Sequence, residues 1–180
     1  GSAIPIWDKN PQLREHLSSL QAVAPHRTVI GKLAKALKYR GLQDVAKVAA
    51  ELICFHRSMP PDITTITAVP LHPAREKQRG YNQAALIAQE LARIYDLPYQ
   101  PLLYRLRHTK SQVNTRSKAA REENLEGAFR IRAEQQVYIR DQQLLLVDDV
   151  CSTGSTLIAC ARELQKNGAK SIHAVTLTHG

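Results

Sequence analysis

A chain of 180 residues, 43% apolar and 23% charged, has the length and composition of one ordinary globular domain with a hydrophobic core. Its longest apolar runs stop after a few residues, which excludes a membrane-spanning helix of ~20 apolar residues. The three cysteines form no C-x-x-C pair and indicate reduced thiols in a cytosolic protein. A net charge of +9 predicts affinity for nucleic acid, phosphorylated small molecules or an anionic membrane surface.

The first 60 residues predict an N-terminal helical segment. Residues 1–27 show little periodicity, which predicts loose structure or one short helix. From residue 28 onwards the apolar residues recur at helical spacing, which predicts two helices or one helix broken at Gly41. Because Gly1 and Ser2 resemble the remnant of a cleaved tag, we expect the natural protein to begin further upstream.

Residues 61–180 predict the alternation of strands and helices that is typical of an α/β domain. The predicted strands are residues 63–69, 99–106, 143–147 and 171–177. The predicted helices are residues 81–95 and 154–167, with basic loops at residues 71–80 and 107–127 and a small hairpin from residues 129–132 and 137–138. This order predicts a mainly parallel sheet with helices on both faces, whose ligands bind beyond the carboxyl ends of the strands.

The segment LLLVDDVCSTGST, residues 144–156, carries the chemistry. A buried strand ends in Asp148 and Asp149, and small or hydroxylated residues then open a helix, where backbone amides favour a phosphate and Gly154 permits close approach or a positive φ. Two carboxylates would repel that phosphate, so we expect them to face a sugar diol instead. The pattern predicts a ribose 5-phosphate site; the alternative is a capped helix with Asp149 as a solvated turn residue.

Two other nucleotide-binding motifs are absent from the sequence. The eight glycines include no G-x-G-x-x-G, which argues against a dinucleotide fingerprint. Residues 144–149 resemble the acidic strand of P-loop NTPases, but no G-x-x-x-x-G-K-[ST] accompanies them, which argues against ATP hydrolysis of that type.

The segment closely resembles the phosphoribosyl-pyrophosphate (PRPP) loop of type I phosphoribosyltransferases. The resemblance implies that Asp148 and Asp149 contact the ribose hydroxyls as catalytic residues, and that they hold Mg²⁺ indirectly, through the ligand. Cys151 departs from the usual threonine and is expected to be a packing or backbone position. The residues implied for the 5-phosphate are Cys151, Ser152, Thr153, Gly154, Ser155 and Thr156.

Two further stretches resemble the ComF family of bacterial DNA-uptake proteins. They are VPLHPAREKQRGYNQ at residues 69–83, and RHTKSQ at residues 107–112 followed by REENLEGAF at residues 121–129. The resemblance implies a type I phosphoribosyltransferase fold at residues 61–180, with residues 1–60 as an N-terminal helical extension. The implied pyrophosphate loop contains Arg75, Lys77, Arg79 and Gly80, with a solvated loop as the alternative. The implied contacts of the mobile loop are Arg107, Lys110, Gln112 and Arg116.

The resemblance implies a cytoplasmic factor, or one peripheral to the inner face of the cytoplasmic membrane, that assists single-stranded DNA uptake in natural transformation. PRPP or a related phosphosugar, single-stranded DNA on the basic loops, and proteins of the uptake machinery are the implied partners. The alternatives are an active phosphoribosyltransferase that transfers to a base or an amine with Mg²⁺, and a regulator that uses PRPP only as a signal. ComF-like chains typically begin with a zinc-binding cysteine module, so either that module is missing from this sequence or the protein is a natural zinc-free variant.

Overall fold

The structure is a computed structural model and describes residues 5–26, 28, 30, 43–106, 125 and 127–180. Its helices are α1 (Pro5–Lys9), α2 (Pro11–His16), α3 (Gln43–His56), α4 (Pro73–Arg79), α5 (Gln83–Tyr95) and α6 (Ser155–Lys166), with a 3-10 helix at Ala133–Tyr138. Its strands are β1 (Ser19–Pro25), β2 (Thr65–Ala68), β3 (Leu103–Arg105), β4 (Phe129–Ile131), β5 (Gln143–Cys151) and β6 (Ser171–His179). The first of the two helices predicted from residue 28 and the loop residues Arg107, Lys110, Gln112 and Arg116 lie outside these ranges.

Four parallel strands form the main sheet, in the order β1-β6-β5-β2. This confirms the predicted parallel α/β fold. The central position of β5 explains its continuous apolar run, because a strand with neighbours on both edges and helices on both faces has no solvent-facing row. No helix within the described ranges combines the length and the apolarity needed to cross a bilayer.

The two faces of the sheet are covered by different helices. Leu144 and Leu146 pack into a core with Leu13 of α2 and the buried residues of α6. Leu145 and Val147, which alternate with them along β5, pack into a second core with the buried residues of α3 and α5. The alternation follows from the two-residue period of a strand and confirms helices on both sides of the sheet.

The N-terminal residues contain a strand that the sequence did not predict. β1 pairs with β6 from Ser19↔His173 to Pro25↔His179, and its Leu20 is buried. The prediction of loose structure or a short helix for residues 1–27 was therefore wrong here. β1 contains a single β-branched residue, and its partner lies about 150 residues away along the chain, so no local pattern indicated the pairing. The sheet thus crosses the predicted boundary at residue 60.

Residues 71–80 contain helix α4, so the prediction of a basic loop was wrong. Pro73 occupies its first turn, and His72 caps it by accepting a hydrogen bond from the N–H of Ala74 on Nδ1 at 3.2 Å. Gly80 ends the helix in the left-handed conformation with φ +84°. Proline at the start and glycine just past the end are a helix signature, which the high charge of the segment obscured.

The predicted hairpin from residues 129–132 and 137–138 was also wrong. β4 pairs antiparallel with β3, from Leu103↔Ile131 to Arg105↔Phe129, and residues 133–138 form the 3-10 helix. Sequence adjacency suggested a short hairpin, but the strand that pairs with β4 precedes it by more than twenty residues. The two strands form a separate two-stranded sheet.

Candidate functional site

The site is built where β5 passes into α6, at the carboxyl edge of the main sheet. β5 continues to Cys151, four residues beyond its predicted end. Its neighbour β2 stops at Ala68↔Val147, whereas β6 accompanies β5 to Cys151↔His179. Beyond Val147 the strand pairing on the β2 side of β5 has therefore ended, and the two acidic residues lie in this stretch.

Asp148 and Asp149 are both half-buried, and the N–H of Asp149 donates a hydrogen bond to Oδ1 of Asp148 at 2.8 Å. The regular alternation of β5 breaks between Val147 and Val150, the stretch that contains both carboxylates, because Val150 packs with the core of Val147 whereas Cys151 joins the opposite core. Adjacent residues of an undisturbed strand point to opposite faces. The break supplies the condition under which two adjacent carboxylates are able to contact one ligand.

Cys151 begins the turn and is buried, with 2% of its surface exposed. Burial raises the pKa of the Cys151 thiol to about 12, and the charge of Asp148 adds to the rise. The thiol is thus neutral at physiological pH and serves as a packing group, because nucleophilic cysteines need a lowered pKa.

Hydroxyl groups line the middle of the turn. Ser152 is exposed, and the Oγ1 of Thr153 lies 3.0 Å from the Oγ of Ser155 and accepts a hydrogen bond from the Ser155 N–H at 3.4 Å. Gly154, which caps α6, has no side chain to accept from the first-turn amides. The amides and hydroxyls at the start of this twelve-residue helix suit a phosphate, because they combine hydrogen-bond donors with the positive end of the helix dipole.

The N-terminal helices support this turn from behind. Gly154 has φ +79°, and a Cβ at this position would lie 2.8 Å from Cδ2 of Leu13 in α2. The Nδ2 of Asn10 donates to the carbonyl of Thr153 at 3.2 Å, and the N–H of Gly180 donates to the carbonyl of Cys151 at 2.9 Å. Two separate segments, residues 10–13 and Gly180, therefore hold the turn, and only glycine fits at position 154.

The predicted pyrophosphate residues follow β2 at the same edge of the sheet, but helix α4 separates them. Arg75 and Arg79 lie one turn apart on the same face and are half-buried. Lys77 is fully exposed and, two residues from each arginine, lies on the opposite face of the helix. The helix therefore brings two of the three predicted cations to one side and turns the third away.

Arg105 in β3 interacts electrostatically with these groups, although the sequence placed it only in the predicted strand at residues 99–106 and not in the site. Burial lowers the pKa of its guanidinium, the charge of Arg75 lowers it further, and the charge of Asp148 opposes both effects. Its Cζ lies 5.3 Å from the centre of the Phe129 ring. A charged residue inside an otherwise apolar strand segment was the signal available in the sequence. Arg105 of β3 thus interacts electrostatically both with Arg75 of α4 and with the carboxylate of Asp148.

Asn82, in the segment after α4, has a structural role. Its Oδ1 accepts from the N–H of Ala84 at 3.1 Å, and its Nδ2 donates to the carbonyl of Val69 at 2.9 Å. The side chain is buried and both its polar atoms are used. It ties the start of α5 to the end of β2, which sets the position of α4 between them.

Comparison with known proteins agrees with this geometry. A family model described as phosphoribosyl transferase domain matches residues 79–180, which together with the parallel sheet defines a phosphoribosyltransferase-type domain. Competence protein F of Haemophilus influenzae is 30% identical over an alignment of 174 residues, which covers 93% of this chain and 71% of that protein. The DNA utilization protein YhgH of Escherichia coli K12 is 29% identical over 85% of this chain and 68% of its own length. Competence protein ComFC of Bacillus subtilis is 31% identical over 68% of this chain and 48% of its own length. The chain belongs to the ComF family, as its motifs predicted.

Proposed function

We propose that this protein acts in DNA uptake and that its β5–α6 turn binds the ribose 5-phosphate part of PRPP or of a related phosphosugar. The observation that carries the proposal is the juxtaposition of Asp148 and Asp149 with the start of α6, whose N-cap Gly154 has no capping side chain and which follows them after residues 150–154. The names of the relatives, two competence proteins and a DNA utilization protein, support the link to DNA uptake.

In this proposal the 5-phosphate lies against the amides and hydroxyls of residues 152–156. The ribose then extends towards β5, where its hydroxyl groups donate hydrogen bonds to the two carboxylates. The separation of anion site and carboxylates matters, because a phosphate seated directly beside them would be repelled. Arg75, Arg79 and Arg105 would face the pyrophosphate, the most strongly charged part of PRPP.

Magnesium fits this arrangement in one particular way. Within the described ranges no three His, Cys, Asp or Glu residues lie close enough to form a metal site made of protein alone. Mg²⁺, however, is commonly held by one or two carboxylates together with substrate phosphates. Asp148 and Asp149 would hold the ion through the ligand, and the ion would neutralise part of the pyrophosphate charge.

The second candidate function is catalytic transfer of a base or an amine to C1 of PRPP. The observation that favours it is the electrostatic interaction of the Arg105 guanidinium with both Arg75 and Asp148. Such a transfer develops positive charge on the sugar and negative charge on the departing pyrophosphate, and both would be stabilised here. A pyrophosphate-release assay against a panel of bases and amines tests it: turnover above the rate of Asp149→Asn establishes an enzyme, and its absence leaves binding alone.

Titration calorimetry with PRPP and Mg²⁺ tests the binding site itself. We expect Asp148→Asn and Asp149→Asn each to weaken binding at least about tenfold, because each removes a charge-assisted hydrogen bond to the sugar. Asp44→Asn, which removes an exposed carboxylate on α3, is the matched control and should bind like the original protein. A folded protein that binds neither PRPP nor ribose 5-phosphate at millimolar concentration would overturn the proposal.

A further inference from the structure

A groove of about 310 Å³ lies between α6 and β4. Ser155, Ile158, Arg162 and Lys166 line it from α6 at the spacing of one helical face, and Arg130 lines it from β4. Ser155 also belongs to the β5–α6 turn. The groove therefore continues from the proposed phosphate site along the helix.

The groove is cationic. Among the residues that the structure describes, three exposed cations line it: Arg130, Arg162 and Lys166. The one carboxylate among these described lining residues, Glu163, has an Oε2 atom 3.7 Å from the Nη1 of Arg130, and its side chain is only 15% exposed. The Nε of Arg162 donates to Nε2 of His16 at 2.9 Å, which orients its guanidinium. The groove presents net positive charge that attracts phosphates.

The length of the groove exceeds one phosphate group. Eleven residues separate Ser155 from Lys166, which corresponds to roughly 16 Å at ~1.5 Å per helical residue. Phosphates spaced along a strand fit such a line of donors better than a single small anion does.

An aromatic side chain adjoins the groove beside Arg130. Tyr104 of β3 is the direct cross-strand partner of Arg130, so the two side chains share one face of the small sheet. The Cζ of the exposed Arg132 lies 5.9 Å from the centre of the Tyr104 ring. The ring of Tyr104 is half-buried with the Arg132 guanidinium beside it, and aromatic side chains of this kind are platforms on which single-stranded bases stack.

We infer that this groove binds the phosphate backbone of single-stranded nucleic acid, with Tyr104 stacking on a base at its border. The inference rests on the DNA link of the proposed function and places the strand on α6, not only on the basic loops. Phosphates would contact Arg130, Arg162 and Lys166, and the strand would begin or end next to the phosphosugar turn at Ser155.

The test measures the affinity of a fluorescent oligothymidylate by anisotropy at salt concentrations from about 50 to about 300 mM. In this range contacts with the phosphate backbone make the affinity depend on salt. Arg162→Gln/Lys166→Gln should weaken binding about tenfold at low salt and reduce the salt slope by ~1.4, because each lost phosphate contact on a single strand contributes ~0.7. Lys47→Gln/Arg93→Gln is the matched control: it removes the same charge from exposed residues of α3 and α5 on the other face of the sheet.

The two variants separate a groove from a general charge effect. Equal losses in both would overturn the inference, because net charge alone would then explain binding. Since Arg162 also contacts His16, Lys166→Gln alone serves where the double variant is unstable, with about half of the change in slope. Calorimetry with PRPP should be unaffected by either variant, so failure of the groove and failure of the phosphosugar site are distinguishable.

Tyr104→Leu supplies a signature of a different kind. It should weaken oligonucleotide binding about fivefold with an unchanged salt slope, because base stacking displaces no counterions. An unchanged affinity would contradict the stacking role of Tyr104, and a changed slope would mean that the variant disturbs Arg130 or Arg132.

Discussion

The two segments that follow β5 and β2 lie at the same edge of the sheet but are held very differently. The β5–α6 turn is fixed by Leu13, Asn10 and Gly180, and α6 has six buried residues. Helix α4 has no buried residue, and its ends are capped locally by His72 and Gly80. The difference indicates a rigid half and a peripheral half, because local stability follows buried contacts. In the proposed function the rigid half would position the sugar phosphate and the peripheral half would supply positive charge.

The largest expected difference between the two segments comes from substituting one glycine in each, because both glycines have a positive φ. Gly154→Ala should lower the free energy of unfolding by about 3 kcal/mol, since a left-handed non-glycine residue costs ~1–2 kcal/mol and the contact with Leu13 adds overpacking of ~1–3 kcal/mol. Gly80→Ala, with φ +84° and open space around its Cβ, should cost only about 1 kcal/mol. Urea unfolding measures both, and equal losses would mean that the turn is no more constrained than α4.

The second test concerns the two faces of α4. Arg75→Gln and Arg79→Gln should each weaken PRPP binding about tenfold, the effect of losing one hydrogen bond to a charged group, with little change in stability. Lys77→Gln, on the opposite face, is the matched control and should change the affinity less than twofold. Ribose 5-phosphate, which lacks the pyrophosphate, should bind all three variants equally. If Lys77→Gln proved as harmful as the arginine variants, the proposed orientation of α4 would be wrong.

The third test concerns Cys151 and is confined to alkaline pH. Its folded pKa of about 12 exceeds the ordinary thiol value, so the folded state keeps a proton that the unfolded state loses. Its contribution to stability is complete below pH 9 and is lost as the pH rises from 9 towards 12. Cys151→Ala should therefore make the free energy of unfolding less dependent on pH above 9, by at most about 1.4 kcal/mol per pH unit. Urea titrations at several alkaline pH values measure this slope, and the same slope in both proteins would contradict the burial of the thiol.

Much of the site was predictable because its signals are local. The apolar run before Asp148, the two carboxylates and the small residues up to Thr156 each have a direct chemical meaning within thirteen residues. Arg75 and Arg79 were implied by the resemblance of their segment to the ComF family, but their common face depends on helix α4. Arg105 was missed as a site residue because its approach to Arg75 and Asp148 joins segments that are distant in sequence.

By itself the sequence determined the parallel α/β architecture and the strand–turn–helix from residue 143 to 166, since periodicity, glycine and charge act over a few neighbouring residues. Only the tertiary structure decided that β1 pairs with β6, that β3 pairs with β4, and that Leu13 lies against Gly154. Those contacts join segments that are far apart in the sequence and come together only when the chain packs on both faces of the sheet. Strand pairing and packing are long-range choices that no local pattern encodes.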